Sequence, residues 1–159
     1  MLEPYTPTGS TMDVSFNTSK ATRFWSRPDR SHLNWIITDS DWEAKLARVI
    51  EDHPMTRAYA KNHNLGFEIP YLEEGEPKRY RPDFLIALAT PEPTTLIVEA
   101  KGFRDAKDRM KAETTRHQWV PGVNTLGRFG RWVYAELLDP YAYAEDLDRL
   151  IAQTVGEPA

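Results

Sequence analysis

The sequence predicts one α/β domain, a mixed central β-sheet flanked by helices. Three observations carry that prediction. Hydrophobic spacing runs through the chain in the order helix, strand, strand, strand, helix, strand, helix. Two apolar runs, residues 80–88 and 96–101, are joined by Ala89-Thr90-Pro91-Glu92-Pro93-Thr94, whose two prolines leave room for no regular element. At 159 residues, 40% hydrophobic and 11% aromatic, the chain is long enough for a single substantial core.

Residues 1–30 are rich in Thr, Ser, Pro and Gly and read as an arm or linker, with a short strand at Met12-Asp13-Val14-Ser15-Phe16; the folded domain is expected over 31–159. Residues 33–38 suit another strand. Ser40 then opens a helix to about Asp52, with Trp42, Leu46, Val49 and Ile50 as its buried stripe and Pro54 as its stop. Ser40 and Glu43 have the spacing of a capping box, in which Glu43 bonds back to the Ser40 N–H. Phe67, Ile69 and Tyr71 alternate with Glu68 and Pro70 as a strand, and Glu73-Glu74-Gly75-Glu76-Pro77 turns the chain into the run 80–88. Pro82 suits the start of that strand, not its middle. A helix from about Asp105 to Trp119 should end near Pro121-Gly122. Residues 131–137 form a strand with Trp132, Tyr134 and Glu136 on one face. Asp139-Pro140 supplies a cap and first-turn proline for a last helix whose apolar face is Leu147, Leu150, Ile151 and Val155. No internal repeat is visible.

The chemistry gathers on the two central strands. Side chains alternate along Leu96-Ile97-Val98-Glu99-Ala100-Lys101, so Glu99 and Lys101 share a face at the strand's end. If the two runs form a hairpin, Asp83 falls opposite residue 100, give or take one, and so beside both. Two carboxylates this close repel, and burial makes that worse. A hard divalent cation such as magnesium removes the problem and acidifies a bound water. Lys101 would orient or deprotonate that water, or stabilise the charged phosphate. A surface Glu-x-Lys pair would show the same letters. The Leu-Ile-Val bed around these charges favours a site.

Pro82-Asp83 and Glu99-Ala100-Lys101 resemble the two half-motifs of the PD-(D/E)XK nuclease superfamily. Asp39-Ser40-Asp41-Trp42-Glu43, Tyr59-Ala60-Lys61-Asn62, Leu65-Gly66-Phe67-Glu68-Ile69-Pro70-Tyr71, Gln118-Trp119-Val120 with Asn124, and Gly127-Arg128-Phe129-Gly130-Arg131-Trp132 extend the likeness over residues 31–138. They resemble the C-terminal nuclease domain of type III restriction enzymes and related helicase-linked restriction endonucleases. The resemblance implies a restriction-endonuclease-like fold and a magnesium-dependent DNA endonuclease, with manganese as a substitute ion. Asp83 and Glu99 would be metal ligands, with the Ala100 carbonyl as a further one, and Lys101 the catalytic lysine. Glu43 stands where a first-helix glutamate joins the site in many members; the capping role is an equal reading. Such nucleases work with an ATP-driven motor. No G-x-x-x-x-G-K-[ST] loop occurs here, so a helicase or ATPase partner subunit or domain is expected outside this chain.

Net charge is −4, which argues against a generally basic nucleic-acid binder, but its distribution is uneven. The stretch 101–131 carries +5 and the rest −9. Lys107, Lys111, Arg116 and Arg128 in that stretch are the candidate phosphate contacts, a solvated mixed-charge helix face being the plainer reading. Gln118 is either a site-contacting glutamine, as in some superfamily branches, or an ordinary helix-end residue. Absence of cysteine excludes disulfides and thiolate zinc sites, and the four histidines lack ligand spacing. No apolar run spans a membrane and no signal pattern opens the chain, so a cytoplasmic protein with no membrane partner is expected. Two alternatives stay open. The chain could be a non-catalytic nuclease-fold module that clamps DNA or docks on a helicase, or its substrate could be single strands, branched DNA or RNA.

Overall fold

The computed structural model describes residues 12, 23–27, 29–31, 33, 35–63, 65–101 and 106–156, with backbone alone at 23–25, 35 and 106–108. Among these the order is β1 (Arg23–Trp25), β2 (Trp35–Ile37), α1 (Asp41–Asp52), β3 (Thr56–Lys61), β4 (Ile69–Glu73), β5 (Glu76–Tyr80), β6 (Phe84–Leu88), β7 (Thr94–Ala100), α2 (Ala106–Thr114), a π turn (Thr115–Trp119), α3 (Val120–Leu126), β8 (Arg131–Leu137) and α4 (Tyr143–Gly156). The central sheet runs β3-β6-β7-β8. Its first three strands are antiparallel and β8 lies parallel to β7, so the sheet is mixed and the class is α/β as the patterning predicts. Two ribbons, β1-β2 and β4-β5, pair apart from it.

Alternation along β7 divides the core. Leu96 and Val98 pack with Phe84, Ile86 and Leu88 of β6 against Leu46 and Ile50 of α1 and Leu147 and Ile151 of α4. Ile97 points the other way, toward Ile69, Tyr71 and Tyr80 of the β4-β5 hairpin, Ala112 of α2 and Tyr134 of β8. Each fully buried Leu or Ile contributes about 1.5–3 kcal/mol, which is what holds three layers together around one sheet.

Several elements depart from expectation. β3 has no counterpart in the order expected from spacing, and residues 76–88 divide into β5 and β6 around Arg81-Pro82-Asp83. The helix after β7 does not end at Pro121-Gly122 but continues to Leu126. The π turn explains why: the Val120 N–H bonds back to Thr115, one residue further than in an α-helix, and Pro121 enters α3 in its first turn, where no N–H is needed. Gly127, at φ 63°, ends it in the left-handed conformation. Trp42 is 44% exposed; the buried stripe of α1 is Leu46, Ala47, Ile50 and Glu51, the last taking hydrogen bonds from the Arg27 N–H and the Tyr59 hydroxyl. Val155 is likewise outward, and Tyr143 and Thr154 complete the inner face of α4. Asp139 accepts from the Tyr141 N–H in a turn that precedes α4 instead of capping the helix itself. Glu43 accepts from the Asp39 N–H, not that of Ser40, while the Ser40 hydroxyl accepts from the Glu43 N–H. Of the strand expected at 12–16, only Met12 is among the described residues. No helix among the described residues is long and apolar enough to cross a membrane.

Candidate active site

The β6-β7 register pairs Phe84 with Val98 and Leu85 with Ile97. One step further sets Asp83 across from Glu99, a single residue from the expected position. The Asp83 carboxylate accepts the Ala100 N–H at 3.0 Å, and its carbonyl accepts the Asn62 N–H at 2.8 Å. Both neighbouring strands therefore hold it. The Lys101 N–H donates to the Leu137 carbonyl at 2.9 Å, continuing the β7-β8 ladder, and its ammonium lies 3.4 Å from Glu99. Asp83, Glu99 and Lys101 thus meet at one end of the sheet.

Glu99 is only 3% exposed. Burial, and then the neighbouring Asp83 charge, push its carboxyl up to about 7, against the pull of Lys101. Burial also raises the Asp83 carboxyl, opposed chiefly by Lys61. Two carboxyls held against their ionised state, Glu99 by desolvation and the Asp83 charge, Asp83 by desolvation and the Glu43 charge, are what a divalent cation would relieve. The residues fit such an ion. Among the described residues no three His, Asp or Glu side chains gather as a ready-made cage, but magnesium commonly takes one or two carboxylates and completes its shell with water.

Lys61 joins the candidate site, although the sequence assigns it no role there. Its side chain is 7% exposed, and its ammonium lies 3.2 Å from Glu43 and 3.7 Å from Asp83, over the ring of Phe84. Reading residues 56–61 as a strand beside the Asp83 strand is the signal that would have found it. Glu43 reaches the site through this lysine. Tyr143, from α4, closes the same side, its hydroxyl pushed up to about 12 by burial and by the Asp83, Asp139 and Glu43 carboxylates.

Asp83, Glu99 and Lys101 open into a cleft of about 460 Å³, walled by Lys111 of α2 and by Glu68, Arg79 and Arg81 at the hairpin. Of the candidate phosphate contacts, Lys111 lines this cleft. Arg116, Gln118 and Arg128 do not; Arg116 lies 3.9 Å from Glu136 and stacks over Tyr134, and Gln118 and Arg128 are exposed. The side chain of Lys107 lies outside the described residues.

No protein-family model and no curated protein matches the chain. One solved structure does, "Crystal structure of protein VC1899 from Vibrio cholerae", at 13% identity and a TM-score of 0.28; the match covers 77% of this chain and 38% of that one.

Proposed function

We propose that this chain is a divalent-metal-dependent DNA endonuclease, the nuclease module of a restriction or anti-phage defence system whose helicase or ATPase motor is supplied by another domain or subunit. The observation that carries the reading is the convergence of Asp83, Glu99 and Lys101 at the sheet's end, with both carboxyls strained toward the neutral form. Asp83 and Glu99 would hold the ion, magnesium or in its place manganese, with the Ala100 carbonyl as a third oxygen. When bound it supplies an acidified water and neutralises charge on the phosphoryl oxygens. The Ala100 N–H fixes the rotamer of Asp83. Lys101 orients the attacking water or offers its charge to the phosphate. Lys61 and Glu43 support Asp83 from the α1 side.

The test is cleavage of linear, nicked and supercoiled DNA, and of RNA, with magnesium, manganese or chelator. Metal-dependent cutting of DNA that chelator abolishes is expected. A non-catalytic DNA-binding or helicase-docking module is the second reading, favoured by the compensation Lys61 already gives Asp83. DNA affinity without cleavage under any divalent ion would select it.

A further inference from the structure

The β4-β5 hairpin turns through Glu74 and Gly75, both at positive φ, as a two-residue hairpin loop requires. Its inner side chains Ile69, Tyr71 and Tyr80 are anchored beside Ile97 and Ala112. Its outer edge carries Arg79, and Arg81 follows directly after β5. Both guanidinium groups reach Glu68, Arg81 at 2.9 Å and Arg79 at 3.6 Å. The two arginine side chains are 63% and 62% exposed, so these ion pairs are weakly held and exchange easily.

Charge around the cleft is arranged asymmetrically. If a divalent ion matches Asp83 and Glu99, then among the described lining residues Arg79, Arg81, Lys101 and Lys111 face Glu68 as the remaining acid. A cleft with that surplus takes an anion. The planar guanidinium fork suits phosphate oxygens better than an ammonium does. Both arginines line the same cleft as Asp83 and Glu99 but make their ion pairs with Glu68.

We infer that Arg79 and Arg81 form a phosphodiester-binding subsite on the hairpin, holding the nucleic-acid strand beside the scissile phosphate, with Glu68 as the internal anion that the strand displaces. The inference rests on the nuclease reading for what lies next to the subsite, but binding is measurable without cleavage. The experiment uses the full chain with calcium in place of magnesium. Anisotropy of a short fluorescent duplex, its single strand and the RNA of the same sequence is followed over a range of salt. Arg79→Gln with Arg81→Gln should weaken binding on the order of tenfold and flatten the duplex salt slope by about 1.8, two contacts at about 0.9 each. Glu68→Gln should tighten binding. Arg149→Gln, an exposed α4 arginine paired with Asp146, controls for loss of charge and should leave the slope unchanged. Comparison of the three probes shows which strand chemistry the subsite takes.

A double variant that binds every probe like wild type, or no worse than the Arg149 control, overturns the inference. So does displacement of DNA by a polyglutamate peptide at lower concentration than by unlabelled DNA. Wild-type binding with the expected slope change but no cutting under magnesium or manganese would sink the nuclease reading and leave the subsite standing. Cutting with an unaltered slope would do the reverse.

Discussion

The ammonium of Lys61 stands 3.7 Å from the Asp83 carboxylate at the edge of the core, and the same ammonium is 3.2 Å from Glu43. One buried cation therefore serves two acids. Removing one member of a buried pair leaves the other charge uncompensated. Lys61→Met should cost about 3 kcal/mol at pH 8 with chelator present, read by urea denaturation. Magnesium should restore more stability to the variant than it adds to wild type. Equal wild-type and variant midpoints at pH 8 would show that Lys61 compensates nothing.

Glu99 should make stability and the proposed ion binding respond to pH in opposite senses. Its carboxyl sits at about 7 in the fold against an ordinary 4.5, so the folded state holds the proton more tightly than the unfolded chain does. That contribution is complete below about 4.5 and lost as pH rises through about 7. A shift of that size corresponds to on the order of 3 kcal/mol. The chelated protein should melt lower at pH 8 than at pH 5, and Glu99→Gln should flatten the difference. Magnesium affinity, by calorimetry, should strengthen over the same interval because the ion binds the carboxylate. A pH-independent affinity would detach Glu99 from the ion.

Asp83→Asn, Glu99→Gln and Lys101→Met keep side-chain size while removing charge. Each should lower cleavage at least about 100-fold. Circular dichroism should show the fold retained, with Glu99→Gln melting no lower than wild type at pH 8. Undiminished metal-dependent nicking by Lys101→Met would take that lysine out of the chemistry.

Gly130 offers a way to test folding apart from the proposed cleavage. It adopts φ 71°, and a Cβ there would collide with the Pro93 carbonyl oxygen, which accepts the Arg131 N–H. Gly130→Ala should therefore destabilise by about 2–4 kcal/mol in urea titration. The contact is at the opposite end of β7 from Glu99, roughly 20 Å away at strand rise. Activity per folded molecule should hold.

Asp83, Glu99 and Lys101 were legible because a period of two places them on one face and a short proline-rich connector leaves the register only one residue of freedom. Lys61 was not. The segment Thr56–Lys61 shows no clean alternation, and a lysine at its end reads as a surface residue until the strand beside it is known. β5 hid for a related reason: Glu76-Pro77-Lys78-Arg79 is exposed, and its strand character comes from backbone pairing with β4, not from burial. The helix past Pro121 was cut short because proline normally breaks the ladder, and a π turn is not visible in residue spacing. In α1, spacing alone turned Trp42 inward, where two hydrogen bonds instead bury Glu51.

Because β4 and β5 share no ladder with the four central strands, residues added at the Glu74-Gly75 tip lengthen the hairpin without sliding any pair in the main sheet. Reach toward a substrate and the machinery that would cut it are thus built on separate hydrogen-bond registers. A lineage could lengthen or shorten one while the other stayed still.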